Sequence, residues 1–202
     1  MRLVAIDTTS TVASVALFDG GTLVARAESD AFQGQAEALL PLIQKTLESE
    51  RWDKRAVEAW CACAGPGSFT GIRIALATVR GICLATGAKG ASVSSFQAIR
   101  AGLPDNELVA VVMPGLPGEY FCEVTEGSSV IVPPVLLTEQ MLATTLSAQP
   151  DAKRIDATRV TAESVGKAYL RFGGDPSLSP LYIAPPRITL PKPKTHGSPQ
   201  TK

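Results

Sequence analysis

The chain has 202 residues, 45% of them hydrophobic and 19% charged, with a formal net charge of +0. That length holds one large domain or two small lobes, and the charge balance excludes a broad electrostatic grip on nucleic acid, leaving only a local basic patch. No apolar run reaches membrane-spanning length, and Met1-Arg2-Leu3-Val4-Ala5-Ile6-Asp7 meets an acid too early for a signal peptide, so a cytoplasmic chain without membrane contact is expected.

Leu3 to Ile6 reads as a short apolar strand that ends in Asp7-Thr8-Thr9-Ser10. Val12 to Phe18 alternates, Asp19-Gly20-Gly21 is a tight hairpin signal, and Thr22 to Ala27 follows as a third strand. This opening meander carries an acid and hydroxyls at its first turn. Two readings of Asp7, Thr8 and Thr9 stand side by side. Asp7 holds a metal-bound water or a phosphate-linked cation, or Asp7 and the hydroxyls cap the turn through local hydrogen bonds.

Gln35 to Glu48 has the period of an amphipathic helix. Ala36, Leu39, Leu40, Ile43 and Leu47 form its expected core face. Gln35, Ala38, Leu42 and Thr46 form a second, weakly polar face, and Pro41 inside the helix predicts a kink. Ser49 to Arg55 is a charged connection.

Val57 to Ala64 is small and apolar, as a buried strand is. Gly65-Pro66-Gly67-Ser68-Phe69-Thr70-Gly71 comes next, and Gly71 to Ala85 has helical spacing. A strand, a glycine turn and a helix start in this order are the parts of an anion-binding corner. They are equally the parts of a tight strand-to-helix turn. The string is neither a P-loop nor a dinucleotide fingerprint. Gly65, Gly67, Ser68, Thr70 and Gly71, together with Asp7, Thr8 and Thr9, are the candidate nucleotide- or anion-binding residues.

The helix after the corner has two apolar sides. Ile72, Ala75, Leu76, Val79, Ile82 and Cys83 share one face at about 100° per residue. Ile74, Ala77, Thr78, Gly81 and Ala85 lie roughly opposite, and Arg73 and Arg80 sit on an edge between them. A surface helix normally shows a charged outer face. Here the outer face is small and apolar, so either the rest of the chain or a partner covers it. Ile74, Thr78 and Gly81, with Ala38 and Leu42 of the first helix, are the candidate partner interface.

Further along, Ala88 to Val93 is a strand, Ser95 to Ala101 a short helix, and Gly102 to Asn106 an interlobe boundary. Glu107 to Met113 and Glu119 to Thr125 pair across Pro114-Gly115-Leu116-Pro117-Gly118. Val130 to Val132 is a short strand, Thr138 caps a helix running to Leu146, and Lys153 to Ile155 is a strand. Thr161 to Phe172 is a last helix, with Thr161 as a simple cap rather than a capping box because Ser164 stands three residues on. These elements divide the chain into an N-terminal lobe, 1–104, a C-terminal lobe, 105–182, and a flexible tail, 183–202.

Catalytic groups are few. His196, the only histidine, lies in the tail, which removes Ser-His-Asp and Cys-His catalysis and any multi-histidine metal site. Cys61, Cys63, Cys83 and Cys122 lack zinc or redox spacing and read as buried small residues. Neither a catalytic nor a metal-binding residue is assigned; carboxylate chemistry would need paired acids, for which Asp7 and Glu119 are the candidates, and no local pattern brings the two together.

Ala5-Ile6-Asp7-Thr8, Leu39-Leu40-Pro41-Leu42-Ile43, Ala64-Gly65-Pro66-Gly67-Ser68-Phe69-Thr70-Gly71-Ile72-Arg73 and Leu76-Ala77-Thr78 through Gly81 resemble the TsaB (YeaZ) family. That glycoprotease-like family acts in tRNA threonylcarbamoyladenosine synthesis. The likeness spans Leu3 to Phe96, with weaker support from Gly118-Glu119 and Pro180-Leu181-Tyr182. It implies an α/β, two-lobe, actin-like (ribonuclease H-like) fold with mixed sheets flanked by helices. It also implies a non-catalytic subunit that binds and activates the metal-binding transferase TsaD, with the ATPase TsaE joining. A homodimer is expected when TsaD is absent, and tRNA is expected to be met through the complex. No cofactor is implied for this chain alone, while ATP or ADP at the joint interface stays open. In TsaD a His-x-x-x-His metal pair stands where this chain has Ser95 and Ile99, and neither replaces imidazole as a ligand. The sequence departs from many relatives at Gln35, where they carry His, and at Pro114 and Leu116, where they carry Asp-x-Arg. The alternative reading is a stand-alone ATP-dependent phosphotransferase or glycoprotease-like enzyme of the same superfamily.

Overall fold

A computed structural model describes residues 1–29 and 34–184. The expected flexible tail beyond residue 184, with His196, lies outside the described residues. In chain order the first part is β1 (Arg2–Asp7), β2 (Ser14–Asp19), β3 (Thr22–Glu28), α1 (Gln35–Ser49), β4 (Ala59–Cys63), α2 (Phe69–Thr86), β5 (Lys89–Val93) and α3 (Ser95–Arg100). The second part is β6 (Leu108–Pro114), β7 (Glu119–Glu126), β8 (Ser129–Thr138), α4 (Glu139–Ser147), β9 (Lys153–Asp156) and α5 (Ala162–Phe172).

The first sheet runs β3-β2-β1-β4-β5 and the second β8-β7-β6-β9. Each begins with an antiparallel three-strand meander and adds a parallel strand after a helix. The order β3-β2-β1-β4 is therefore repeated by β8-β7-β6-β9, although no repeat is visible in the sequence. This is the α/β architecture of two mixed sheets flanked by helices that the sequence led us to expect.

β1 shows why the first sheet is apolar on both sides. Leu3 and Ala5 enter one core cluster, while Val4 and Ile6 enter another. The second of these clusters takes Leu39, Ile43 and Leu47 from α1 and Ile72, Ala75, Leu76 and Val79 from α2. The first takes Val165 and Ala168 from α5 and continues into Val109, Val111 and Met113 of the second sheet. α5 follows the second sheet in sequence yet packs on β1, β2 and β4, so it joins the late part of the chain to the first sheet. The backbone N–H of Ala162 donates to Ser14 Oγ at 2.8 Å and fixes where α5 starts.

Several local expectations change. α1 buries Leu39, Ile43 and Leu47 as expected, but Ala36 and Leu40 are exposed, and Ala38 and Thr46 are buried instead. α1 touches α2 as well as β2 and β3, which widens its buried arc beyond the sheet-facing stripe. Thr46 meets its polar need by donating to the Leu42 carbonyl at 2.6 Å. β8 is ten residues long rather than three. Pro133 and Pro134, which look like strand breakers, are tolerated because β8 is a sheet edge. Thr161 makes a capping box after all: the Ser164 hydroxyl accepts from the Thr161 N–H, as Glu or Gln would. α2 has the length and composition of a membrane span, which the sequence reading did not allow for, yet one side of it packs on the first sheet through Ile72, Ala75, Leu76 and Val79.

Two arginines pin the connection between the sheets. Arg100, buried, donates to the carbonyls of Pro104, Asp105 and Glu107. Arg171 of α5 donates to the carbonyls of Arg100, Ala101 and Leu103 and pairs with Asp105.

Candidate functional site

The glycine corner forms where β4 ends and α2 begins. Ser68 is the N-cap of α2, its hydroxyl accepting from the Gly71 N–H at 3.2 Å. The Ser68 carbonyl accepts from the Ile72 N–H at 2.9 Å. Both are ordinary ways to satisfy the first turn of a helix.

The corner meets the first turn of the chain. Ser68 N–H donates to the Thr9 carbonyl at 2.8 Å, and Thr8 Oγ1 donates to the Gly71 carbonyl at 2.6 Å. A Cβ on Gly71 would lie 1.7 Å from the Thr8 carbonyl oxygen, and one on Gly67 2.7 Å from Thr9 Cβ. Only glycine permits this approach. Gln35 closes the other side by donating to the Ser10 carbonyl. The His-to-Gln departure noted in the sequence thus falls on a residue that ties α1 to the same turn. Gly65 is held through its carbonyl by the Ser95 N–H at 2.7 Å, and its bond to Pro66 is cis.

Asp7 and Thr8 are fully buried and Thr9 nearly so, whereas Ser68 and Thr70 are exposed. Asp7 Oδ1 accepts from Thr9 N–H and from Thr9 Oγ1, at 3.2 and 2.7 Å. Among the described residues Asp7 Oδ2 meets no donor at hydrogen-bond geometry. Burial pushes the Asp7 carboxyl up to about 6, against the opposing effect of the Thr9 hydrogen bonds. The Cys63 thiol beside it is pushed up to about 12, by burial first and then by the Asp7 charge. It is inert as a nucleophile. Cys61 is raised further by burial.

The eight candidate anion-binding residues therefore come together, but mainly with one another. The Thr8 and Thr9 hydroxyls and the Ser68 and Gly71 N–H groups all have partners within the chain. Across the cleft, a cavity of about 330 Å³ is lined by Met113, Pro114, Leu116, Phe121 and Val160 as well as Thr9, Gly67 and Ser68. The Pro114–Gly118 turn offers apolar side chains there, while Ser10 and Thr158 also line the cavity. Arg159, the cation of the cavity, pairs with Glu28.

Ser95 stands where the sequence comparison with TsaD put the first lost metal ligand. It is fully buried, donates to the Pro66 carbonyl at 2.7 Å and lies 3.2 Å from Cys63 Sγ. Ile99 packs against the core cluster shared by the two sheets. Among the described residues no three His, Cys, Asp or Glu side chains gather as metal ligands.

The candidate interface residues divide. Ala38 is 3% exposed and lies inside the chain, so it is withdrawn from the surface. Leu42, Ile74 and Thr78 are half-buried, with Leu42 and Ile74 at the margin of the core. Gly81 is exposed, and a Cβ there meets nothing within 4 Å. Ala77 and Ala85 are exposed beside it, and Leu84 is 90% exposed. Among the described residues the outer face of α2 is thus uncovered at its middle and C-terminal turns.

Sequence reasoning missed one cluster. Arg73 lies over the Phe69 ring with Cζ 3.9 Å from the centroid, and its Nε donates to Tyr182 OH at 2.9 Å. Phe69 and Tyr182 stack with centroids 5.0 Å apart. The i,i+4 spacing of Phe69 and Arg73 was legible, but nothing in sequence placed Tyr182 beside them. The segment carrying Tyr182 is held by Leu181 N–H to the Ala64 carbonyl, by Arg80 to the Ser177 and Leu178 carbonyls, and by the Ser92–Asp175 bridge.

The profile of the TsaD family, described as tRNA N6-adenosine threonylcarbamoyltransferase, matches residues 29–117. The tRNA threonylcarbamoyladenosine biosynthesis protein TsaB of Escherichia coli (strain K12) is 32% identical over 102 residues. That match takes in 50% of this chain and 44% of the relative's length. Two crystallised proteins of Pseudomonas aeruginosa share the fold. YeaZ superimposes with a TM-score of 0.70 at 23% identity, over 90% of this chain and 99% of its own. A protein described as similar to peptidase YEAZ gives 0.71 at 22% identity, over 91% and 99%.

Proposed function

We propose that the chain is a member of the TsaB/YeaZ family, which its likeness to the curated TsaB over half its length supports, and that it serves tRNA N6-threonylcarbamoyladenosine formation as a non-catalytic subunit that binds and activates a TsaD-like transferase. The observation that carries this reading is the uncovered face of α2. Gly81 has open space around it, with Ala77, Leu84 and Ala85 exposed alongside. A run of small and apolar residues lets a second helix approach closely, and an exposed patch of this kind marks an interaction surface.

The TsaD-family match supports the choice of partner. Residues 29–117 include both α1 and α2. A TsaD-like protein presents helices equivalent to these, so the two chains can pair helix against helix in a pseudo-symmetric contact. The same face would serve a homodimer when the transferase is absent.

The site chemistry is in keeping with an activating rather than a catalytic role. Asp7 and the glycine corner are engaged in holding the first turn against α2, and Ser95 and Ile99 are packing residues. We place TsaE and tRNA as partners of the assembled complex, with any ATP or ADP held at its joints. Co-expression with the TsaD of the same organism, followed by affinity purification through a tag on this chain, tests the reading. Stoichiometric recovery of TsaD is expected, and recovery of this chain alone would overturn it.

A further inference from the structure

The Phe69–Arg73–Tyr182 cluster borders a second opening of the interlobe cleft. A cavity of about 300 Å³ is lined by Pro66, Phe69, Ile72, Leu116, Phe121 and Tyr182, among others. It shares Pro66, Gly67, Leu116 and Phe121 with the cavity beside the glycine corner, so the two form one groove. The groove is apolar and open: Leu116 is 52% exposed, Tyr182 40% and Phe69 36%.

Arg73 stands at its rim in a held position. Phe69 stacks against its guanidinium, and Tyr182 fixes its Nε. Among the described residues it makes no ion pair, whereas Arg26, Arg154, Arg159 and Arg171 all do. Arg80, one edge position along α2, donates to backbone carbonyls. Aromatic faces orient a guanidinium without neutralising it. Its Nη atoms are left as a two-pronged donor whose best complement is a carboxylate or a phosphate oxygen pair. Because the side chain is already ordered, little rotamer entropy remains to be lost on binding.

We propose that Arg73 and this groove form a docking site for an extended peptide segment of a protein partner, with an Asp or Glu side chain on Arg73 and the adjoining apolar side chain in the groove. Charge complementarity sets the first contact and burial against Leu116, Phe121 and Tyr182 the second. A nucleic acid fits less well. Phosphate backbones are held by several cations, whereas this rim has one fixed guanidinium. The site lies eight residues, about 12 Å, along α2 from Gly81, and it does not depend on the transferase reading.

The test is an amide chemical-shift titration of the full chain with the peptide Ac-Ser-Asp-Leu-Leu-Ser-NH2. We expect shifts confined to the corner, the Leu116–Phe121 turn and the Tyr182 segment. Replacing Asp by Asn in the peptide, or Arg73→Gln in the protein, should weaken binding about tenfold, the scale of a charge-assisted pair. Leu116→Ser should weaken the Asp and Asn peptides alike. Should Arg73→Gln fail to fold, the wild-type chain decides. Binding of the Asp peptide should fall steeply between about 50 and about 500 mM salt while that of the Asn peptide holds. Equal affinity for both peptides, absence of binding, or shifts elsewhere would overturn the proposal. So would an oligoadenylate that moves the same amides more strongly in an Arg73-dependent way, since it would reassign the site to nucleic acid.

Discussion

Thr8 Oγ1 donates to the Gly71 carbonyl at 2.6 Å across 63 positions of sequence. This bond, with the Thr8 carbonyl pressed where a Gly71 side chain would be, seats the first turn of α2 on the turn after β1. The glycine string is thereby a joint between two elements.

Gly71→Ala should therefore be severe. Its Cβ would fall 1.7 Å from the Thr8 oxygen, a backbone atom that cannot move aside. Overpacking of this kind costs about 1–3 kcal/mol or more, and in a chain of this size each kcal/mol lowers Tm by about 2–4 °C. A thermal melt should show a loss of several degrees, while Gly81→Ala, in open space, should raise or barely change Tm.

Asp7 gives a pH signature. Its folded pKa of about 6 lies above the ordinary 3.8, so folding favours the protonated form. The resulting penalty is absent below about pH 4, grows as pH rises through the interval, and is complete above about 6. Asp7→Asn removes the ionisation and should stabilise the chain at pH 7.5 by on the order of 3 kcal/mol. The gain should vanish near pH 4. Denaturant unfolding at the two pH values checks this, and an equal loss at both would show that the carboxylate has a partner that Asn cannot replace.

Arg171 fastens α5 to the connection between the sheets. Arg171→Ala leaves the carbonyls of Arg100, Ala101 and Leu103 without this donor. Amide hydrogen exchange should rise selectively between residues 101 and 107, with β1 and β4 still protected. Unchanged exchange in that connection would mean that Arg100 alone holds it.

Much of the fold could be read from the chain. The apolar runs of β1 and β4, the Asp19-Gly20-Gly21 hairpin and the periodicity of α2 each report a local constraint, and each lies where the structure has it. What failed was tertiary. Leu40 looks like a core residue by spacing and is 57% exposed, because α1 turns its buried arc towards α2. β8 hides behind Pro133 and Pro134, whose missing donors matter only on an inner strand. The meeting of Thr8 with Gly71 and of Arg73 with Tyr182 joins residues 63 and 109 positions apart, and no local pattern encodes such a pairing. The candidate interface was legible as a second apolar face, but whether Ala38 or Gly81 lay on the outside depended on packing.

The central claim is that α2 presents a partner-binding face through which the chain activates a transferase. Reconstitution of tRNA threonylcarbamoyladenosine formation with purified TsaD and TsaE of the same organism, with threonylcarbamoyl adenylate added as the group donor, tests it most directly, comparing wild type with Gly81→Arg. The new side chain enters open space in the isolated chain, so Tm should change little. In a close helical contact it would bury an unpaired charge at a cost of several kcal/mol. The expected result is modification that requires the wild-type chain, with Gly81→Arg folded but inactive and no longer co-eluting with TsaD. Full modification without the chain, or full activity of the folded Gly81→Arg variant, would contradict it.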